Sequence, residues 1–274
     1  MTFLERLESR QKKQNTLLCV GLDPSLEKIP KSVLGLKLPV LEFNKHIINA
    51  THSFVCAYKP QIAYYSAIGA EAELEMTIRY IQSAYPDIPV ILDSKRGDIG
   101  PTAEMYAKEA FTRYKADAVT INPFLGIDSA KPFIDYKNKG VVVLCRTSNK
   151  SASFMQDIKV DGKPLFAHIA REIMTEWNYN KNILLVAGAT YPQEIKMLRE
   201  IVPEATFLVP GIGAQGGSIE EVIKNGARTD GSGLIISSSR AIIHASSNDD
   251  FAEKAFAKAQ ETCREISDNL KIFR

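Results

Sequence analysis

One short stretch of the chain combines carboxylates and an ammonium group in a spacing suited to acid–base chemistry. Asp93, Lys95 and Asp98 follow the apolar residues Val-Ile-Leu at positions 90–92. If this stretch is a buried strand, Asp93 and Lys95 point to the same side, because side chains alternate between the two faces. Carboxylates beside a lysine favour its charged form, which suits an electrostatic stabiliser and proton donor better than a Schiff-base nucleophile.

Two further charged residues end other apolar runs, Asp23 in Gly-Leu-Asp-Pro and Lys59 in Ala-Tyr-Lys-Pro. Together with Asp93 and Lys95 they would form an alternating network of carboxylates and ammonium groups. Buried charges are costly unless paired, so ion pairs that merely close the mouth of the fold are the structural alternative. The functional interpretation is favoured, because charges at successive strand ends are typical of barrel active sites.

A glycine-rich segment lies at positions 209–217, and Ser218 then opens a helical pattern. Gly211, Gly213 and Gly216 fit the dinucleotide pattern G-x-G-x-x-G, but that fingerprint should open a series of strands, and only one candidate strand follows. The loop after the seventh of eight strands is instead the usual phosphate site of a barrel, and Arg240, after the eighth, supplies a charged donor. A phosphate monoester ligand is therefore predicted, with a plain tight turn as the alternative.

Histidines and cysteines provide no further catalytic or metal-binding pattern. The four histidines lie in predicted helices or at their ends without an i, i+4 pair, so no metal triad and no histidine acid–base mechanism is supported. Cys19, Cys56 and Cys145 fall in apolar runs and Cys263 in a charged helical stretch, with no Cys-x-x-Cys spacing. Free thiols in a reducing compartment are expected, and no metal or cofactor is predicted.

The elements that must position these groups alternate between strand and helix patterns along the whole chain. Four helical segments stand out at positions 70–84, 102–114, 165–177 and 219–225, each long enough for a crossover. Eight strand–helix repeats predict an α/β fold of the (β/α)8 TIM-barrel type, one domain over residues 1–274, with a long loop at 147–163. The eight candidate strands are 17–23, 55–64, 89–93, 116–122, 140–145, 183–187, 206–209 and 234–237.

Composition excludes several classes of function. Thirty-four basic and 32 acidic residues leave a formal charge of +2, which is too balanced for a nucleic-acid-binding protein. Residues 1–14 are charged throughout, unlike a signal peptide, and no apolar run approaches the roughly 18 to 20 residues of a membrane span. A cytoplasmic protein with no membrane partner is expected.

With these residues in place, the sequence resembles the orotidine 5′-phosphate decarboxylases over essentially its full length. Asp93-x-Lys95-x-x-Asp98-Ile99, with Thr102 beyond it, matches the family signature, and Pro210-Gly-Ile-Gly-Ala-Gln-Gly-Gly217 is the second match. Arg96-Gly97 inside the signature resembles the longer bacterial-type branch. The resemblance implies decarboxylation of orotidine 5′-monophosphate to uridine 5′-monophosphate, in the last step of pyrimidine nucleotide synthesis.

The same resemblance implies a role for each matching residue. Asp23 and Lys59 would hold the ribose hydroxyls, Lys95 would deliver a proton to C6, and Asp93 would face the departing carboxylate. Asp98, Ile99 and Thr102 would reach into the neighbouring site of a homodimer. Residues expected to contact the pyrimidine, the phosphate or the loop around it are Ser148, Pro210, Gly213, Gln215, Gly216 and Arg240. The residues after Ser148 depart from the pattern, because Asn149-Lys150-Ser151 replaces the branch's Asn-Pro-Gly.

Two rival interpretations remain open on the sequence. A metal-dependent decarboxylase or aldolase of a sugar phosphate shares the D-x-K-x-x-D strand, but it needs a magnesium-binding acid in place of part of the lysine network. Lys59 and the glycine-rich loop favour the nucleotide enzyme. A non-catalytic sensor of nucleoside monophosphates would bind uridine monophosphate without turnover.

Overall fold

The computed structural model describes residues 1–213 and 216–273. Within them, eight parallel strands form one sheet. The strands are β1 Leu18–Leu22, β2 Ala57–Pro60, β3 Ile91–Arg96, β4 Ala118–Ile121, β5 Gly140–Arg146, β6 Ile183–Ala187, β7 Phe207–Pro210 and β8 Leu234–Ser238. Their order in the sheet is β2-β1-β8-β7-β6-β5-β4-β3. Isolated bridges from Tyr58 to Val90 and from Gln61 to Asp93 join the two edge strands, so the barrel is nearly closed. The predicted (β/α)8 architecture is confirmed.

Helices follow the strands and cover the outside of the barrel. The predicted segments at 102–114 and 165–177 are helical, and each ends in a π-helical turn, at Glu109–Arg113 and Ile173–Trp177. Shorter 3-10 turns lie at Leu26–Lys28, His52–Phe54, Pro123–Leu125 and Lys150–Ala152. The α-helices are Phe3–Gln14, Lys31–Leu34, Pro39–Thr51, Ile62–Ser66, Glu71–Ala84, Gly100–Lys108, Ile127–Ile134, Ser153–Gln156, Leu165–Glu172, Pro192–Ile201, Ile219–Gly226, Arg240–Ile243 and Phe251–Phe273.

The N-terminal helix Phe3–Gln14 closes one end of the barrel. Its Phe3 and Leu7 are buried in the same cluster as the inward-facing strand residues Val142 and Leu184. Gly140 is required at this contact, because a Cβ there would lie 2.4 Å from a ring carbon of Phe3. The polar groups identified in the sequence lie at the opposite, carboxyl end of the strands, as the fold predicts.

Two predicted segments differ from the structure. The second strand was expected to run to position 64, but it ends at Pro60, which has no N–H to continue the ladder. Gln61 then caps the helix Ile62–Ser66 by accepting a hydrogen bond from the Ala63 N–H at 3.2 Å. The long loop at 147–163 is not irregular throughout, because it contains the helix Ser153–Gln156 and a hairpin of Lys159–Val160 with Lys163–Pro164.

Two other sequence predictions concern cysteines and membrane spans. All four cysteines are free; Cys19, Cys56 and Cys145 are buried, and Cys263 is partly buried in the C-terminal helix, as expected. Among residues 1–213 and 216–273, no helix combines the length and apolar character that crossing a membrane requires.

Candidate active site

A buried carboxylate bound by two ammonium groups lies at the carboxyl ends of β2 and β3. Asp93 accepts hydrogen bonds from Lys59 Nζ at 2.9 Å, on Oδ2, and from Lys95 Nζ at 2.6 Å, on Oδ1. Lys59 and Asp93 are only 5% and 7% exposed, whereas the Lys95 side chain is 47% exposed. The structure therefore places one lysine as a buried partner and leaves the other open to the cavity.

The charges of this cluster reinforce one another. Burial alone would raise the pKa of Asp93, but Lys59 and Lys95 outweigh that effect and hold its pKa well below the usual range. Burial alone would lower the pKa of Lys59, but the carboxylates of Asp93 and Asp23 hold it well above the usual range. Asp93 and Lys59 thus remain charged at neutral pH.

Asp23 follows β1 and lines the same cavity. Its carboxylate acts on Lys59 through its charge, although no ion pair within 4 Å is formed between them. One carboxylate oxygen, Oδ1, is buried and has no hydrogen-bond partner among the described residues. An acceptor in this position is suited to a donor from a bound molecule, such as a sugar hydroxyl.

A cavity of about 560 Å³ opens at this end of the barrel. Its volume fits a small organic molecule of nucleotide size. The predicted site residues that line it are Asp23, Lys59, Asp93, Lys95, Ser148, Pro210 and Arg240.

The phosphate site expected from the sequence lies at the ends of β7 and β8. Pro210, Gly211 and Ile212 line one wall of the cavity, and the exposed Arg240 lines it from the start of the helix after β8. Gly213 and Gly216 flank this wall without lining the cavity, and their φ angles of +75° and +82° are ones that favour glycine. Gln215 lies outside the described residues.

Ser148 reaches the cavity on a segment anchored by Arg146, a buried cation that sequence reasoning missed. Arg146 forms ion pairs with Glu194 at 2.5 Å and Asp157 at 3.4 Å and stacks over the Tyr191 ring at 4.3 Å.

A second anchor of this segment is Gln156, whose side-chain oxygen accepts from the Thr147 N–H at 2.9 Å. Gly188 allows the backbone of this segment to pack closely against it, since a Cβ at Gly188 would lie 2.8 Å from the Ser148 backbone. These contacts hold the loop despite the unusual Asn149-Lys150-Ser151.

Asp98, Ile99 and Thr102 lie beyond β3 and do not line the cavity of this chain. Ile99 is 58% exposed and Thr102 is also exposed. The structure thus brings together the lysine and aspartate cluster but separates these three residues from it. Asn122, which follows β4, caps the turn Pro123–Leu125 by accepting a hydrogen bond from the Phe124 N–H at 3.0 Å.

Thr120 is a second residue that sequence reasoning missed. It is buried in β4, lines the cavity, and donates a hydrogen bond from Oγ1 to Asp93 Oδ1 at 2.9 Å. The only signal in the sequence was a hydroxyl within the otherwise apolar strand Ala118–Ile121. Threonine is common in strands, so this signal alone did not separate it from ordinary strand packing.

Neither a histidine nor a cysteine of the described residues belongs to the cluster of lysines and aspartates. His244 stacks on Phe43 with ring centroids 5.5 Å apart, which agrees with a packing role. Cys19 lies in the barrel interior, where burial raises the pKa of its thiol to about 12 and keeps it neutral. Within the described ranges no group of three His, Cys, Asp or Glu side chains is arranged to hold a metal ion.

Comparison with known proteins shows what this barrel and site resemble. Residues 16–255 match the family model described as "Orotidine 5′-phosphate decarboxylase / HUMPS family". An orotidine 5′-phosphate decarboxylase of Cellvibrio japonicus is 53% identical over 269 residues, which cover 97% of this chain and 98% of that protein.

Solved structures show the same likeness. Leishmania donovani OMP decarboxylase is 39% identical with a TM-score of 0.86, covering 99% of this chain and 100% of that one. Leishmania donovani UMP synthase is 40% identical with a TM-score of 0.88; the match covers 98% of this chain but 57% of that longer one.

Proposed function

The chain belongs to the orotidine 5′-phosphate decarboxylase / HUMPS family, and we propose that it converts orotidine 5′-monophosphate to uridine 5′-monophosphate and CO2 with Lys95 as proton donor. Its relatives at about half identity are named as decarboxylases, and the chain is accordingly a carbon–carbon lyase. The observation that carries the proposal is the half-exposed Lys95 ammonium, held 2.6 Å from the buried Asp93 at the floor of the cavity.

The chemistry that this arrangement supports is decarboxylation through a carbanion. When the bond between C6 and the carboxylate breaks, its electron pair stays on C6 and CO2 leaves. No ring carbonyl is placed to delocalise that pair, so a preorganised positive charge must stabilise it. The Lys95 ammonium supplies the charge and then transfers a proton to C6, and the resulting amine regains a proton from solvent.

Asp93 contributes by fixing the position of this ammonium group. Its carboxylate is buried and remains ionised, so Lys95 is attracted to one place rather than moving freely in the cavity. Fixed charges that need not reorganise during the reaction are the most effective electrostatic catalysts. Lys59 satisfies the other oxygen of Asp93 and, with Asp23, faces the region assigned to the ribose hydroxyls.

The opposite wall is assigned to the phosphate. Arg240 and the backbone from Pro210 to Ile212 line the cavity there, and an exposed guanidinium is well matched to a phosphate monoester. Gln215, Gly213 and Gly216 belong to the same proposed site by family resemblance. Ser148 is assigned to the pyrimidine, and binding energy from the distant phosphate helps to exclude water from C6.

We further propose that the active unit is a homodimer in which Asp98, Ile99 and Thr102 complete the neighbouring site. In support, these three residues do not line the cavity of their own chain, and Ile99 and Met105 are 58% and 52% exposed. The homodimer that we propose would cover these two apolar side chains.

The test is the ultraviolet absorbance of orotidine 5′-monophosphate with purified protein and excess EDTA, beside Lys95→Ala. We expect the orotate chromophore to disappear with the wild type and the Lys95→Ala rate to fall by several orders of magnitude. Lys258→Ala removes an equivalent lysine from the C-terminal helix and should keep full activity.

Two results would contradict the proposal. Near-normal turnover by a folded Lys95→Ala protein would remove Lys95 from the mechanism. Activity that EDTA abolishes and magnesium restores would indicate a metal-dependent reaction. Because two lysines already pair with Asp93, we expect EDTA to leave the activity unchanged.

A further inference from the structure

The hydroxyl of Thr120 makes every hydrogen bond that a hydroxyl can make, and all three involve the Asp93–Lys95 segment. Oγ1 accepts from the backbone N–H groups of Ser94 and Lys95, each at 2.9 Å, and donates to Asp93 Oδ1 at 2.9 Å. A hydroxyl has one donor and two acceptor sites, so its capacity is used completely. Thr120 itself is 1% exposed in β4.

These contacts coincide with an irregular backbone at Lys95. Lys95 has a φ of +48°, a conformation that residues other than glycine rarely adopt. The pairing of β3 with β4 also shifts register between Leu92 and Arg96. In a regular strand, successive N–H groups point in opposite directions, but those of Ser94 and Lys95 converge on one oxygen.

We propose that Thr120 is a positioning residue for the reaction, which holds the Lys95 backbone in its left-handed conformation and aligns the Asp93 carboxylate with the ammonium group. This inference rests on the proposed function, in which Lys95 protonates C6. The backbone conformation of Lys95 sets the direction from which its side chain leaves β3. Thr120 thereby sets the position of the ammonium group through two routes, the backbone of Lys95 and the ion pair with Asp93.

The alternatives are that Thr120 only stabilises the barrel or only contacts the substrate. A purely structural role would lower stability without changing kcat. A contact made equally with bound substrate and transition state would change KM and leave kcat unchanged. Loss of a correctly placed ammonium group should instead lower kcat, because its charge acts on the carbanion that develops in the reaction.

Thr120→Val removes the hydroxyl with almost no change of shape, and Thr120→Ser restores it. Because each lost hydrogen bond to this segment weakens its placement, we expect Thr120→Val to lose about 10- to 100-fold in kcat, with KM within about threefold. Thr120→Ser should recover most of the activity. Thr77→Val is the matched control, since Thr77 is also fully buried and bonded through its hydroxyl, to Asn44, but lies outside the cavity.

The outcomes separate this inference from the proposed function. An active wild type with unchanged kcat in folded Thr120→Val, or a loss that Thr120→Ser fails to recover, would overturn the role of Thr120 alone. An inactive wild type would overturn the proposed function. Crystal structures of the variants would then test whether Thr120 holds the Lys95 backbone. A Lys95 φ that stays near +48° in Thr120→Val would refute it, whereas a return to extended backbone would support it.

Discussion

Lys59 and Asp93 form the best-buried ion pair of the site, and a double-mutant cycle should show strong coupling between them. Their charged atoms lie 2.9 Å apart, and the side chains are 7% and 10% exposed. At an effective dielectric constant of about 20, Coulomb's law gives an attraction of about 6 kcal/mol at that distance. Lys95 and Thr120 still bond Asp93 when Lys59 is removed, so we expect a measured coupling of about 3 kcal/mol, at the low end for buried pairs.

The assay is urea unfolding of the wild type, Lys59→Met, Asp93→Asn and the double variant, followed by circular dichroism at pH 7. Each single variant leaves an opposite charge buried, so the double variant should be less destabilised than the sum of the two. Lys131→Met and Asp135→Asn provide the matched cycle, because that pair also has a 2.9 Å separation but lies 59% and 49% exposed. Water screens the exposed pair, and its coupling should be much smaller.

The pH dependence of the coupling follows from the two pKa shifts. The depressed pKa of Asp93 contributes stability above its unfolded value of about 3.9, which is lost as pH falls toward the folded value. The raised pKa of Lys59 contributes stability below its unfolded value of about 10.4, which is lost as pH rises toward the folded value. The coupling should therefore be constant from about pH 5 to about pH 9 and fall outside that window. A coupling below about 1 kcal/mol at pH 7, or one equal to that of the exposed pair, would refute the reasoning.

Three further predictions concern the phosphate, the loop and the dimer. Arg240→Ala should greatly lower kcat/KM for orotidine 5′-monophosphate but only modestly for a phosphate-free substrate, and equal losses would contradict the phosphate role. Arg146→Met should lower the free energy of unfolding in urea by about 2 kcal/mol, because the partly buried Glu194 and Asp157 lose their charged partner, and it should raise KM as the Ser148 segment loosens. An unchanged urea midpoint would argue against an anchoring role of Arg146. Mixing refolded Lys95→Ala and Asp98→Ala chains should restore roughly a quarter of wild-type activity if sites are shared across a twofold dimer. No gain over the separate variants would argue against sharing.

Much of the fold could be predicted from local patterns. Apolar runs of four to ten residues alternating with helical periodicity indicated the eight barrel strands, because both signals depend only on neighbouring residues. The prediction was wrong for the second strand after Pro60 and incomplete for the loop at 147–163. In the first case, turn chemistry at Pro60 and Gln61 outweighed the apolar character of the following residues, which belong to a helix. In the second, part of the order comes from the ion pair of the neighbouring Arg146 with Glu194, which is 48 positions away in the sequence.

The site, like the fold, was predictable from the sequence only in part. The sequence by itself determined that Asp23, Lys59, Asp93 and Lys95 share one end of a barrel, because parallel strands bring their carboxyl ends to one face. Only the tertiary structure decided that Lys59 is the buried partner, that Lys95 has a positive φ, and that Thr120 supports both. These facts depend on contacts between residues 25 to 34 positions apart, and on a register shift between two strands. Such contacts are set by the packing of whole elements, and the spacing of residue types along a single strand does not encode them.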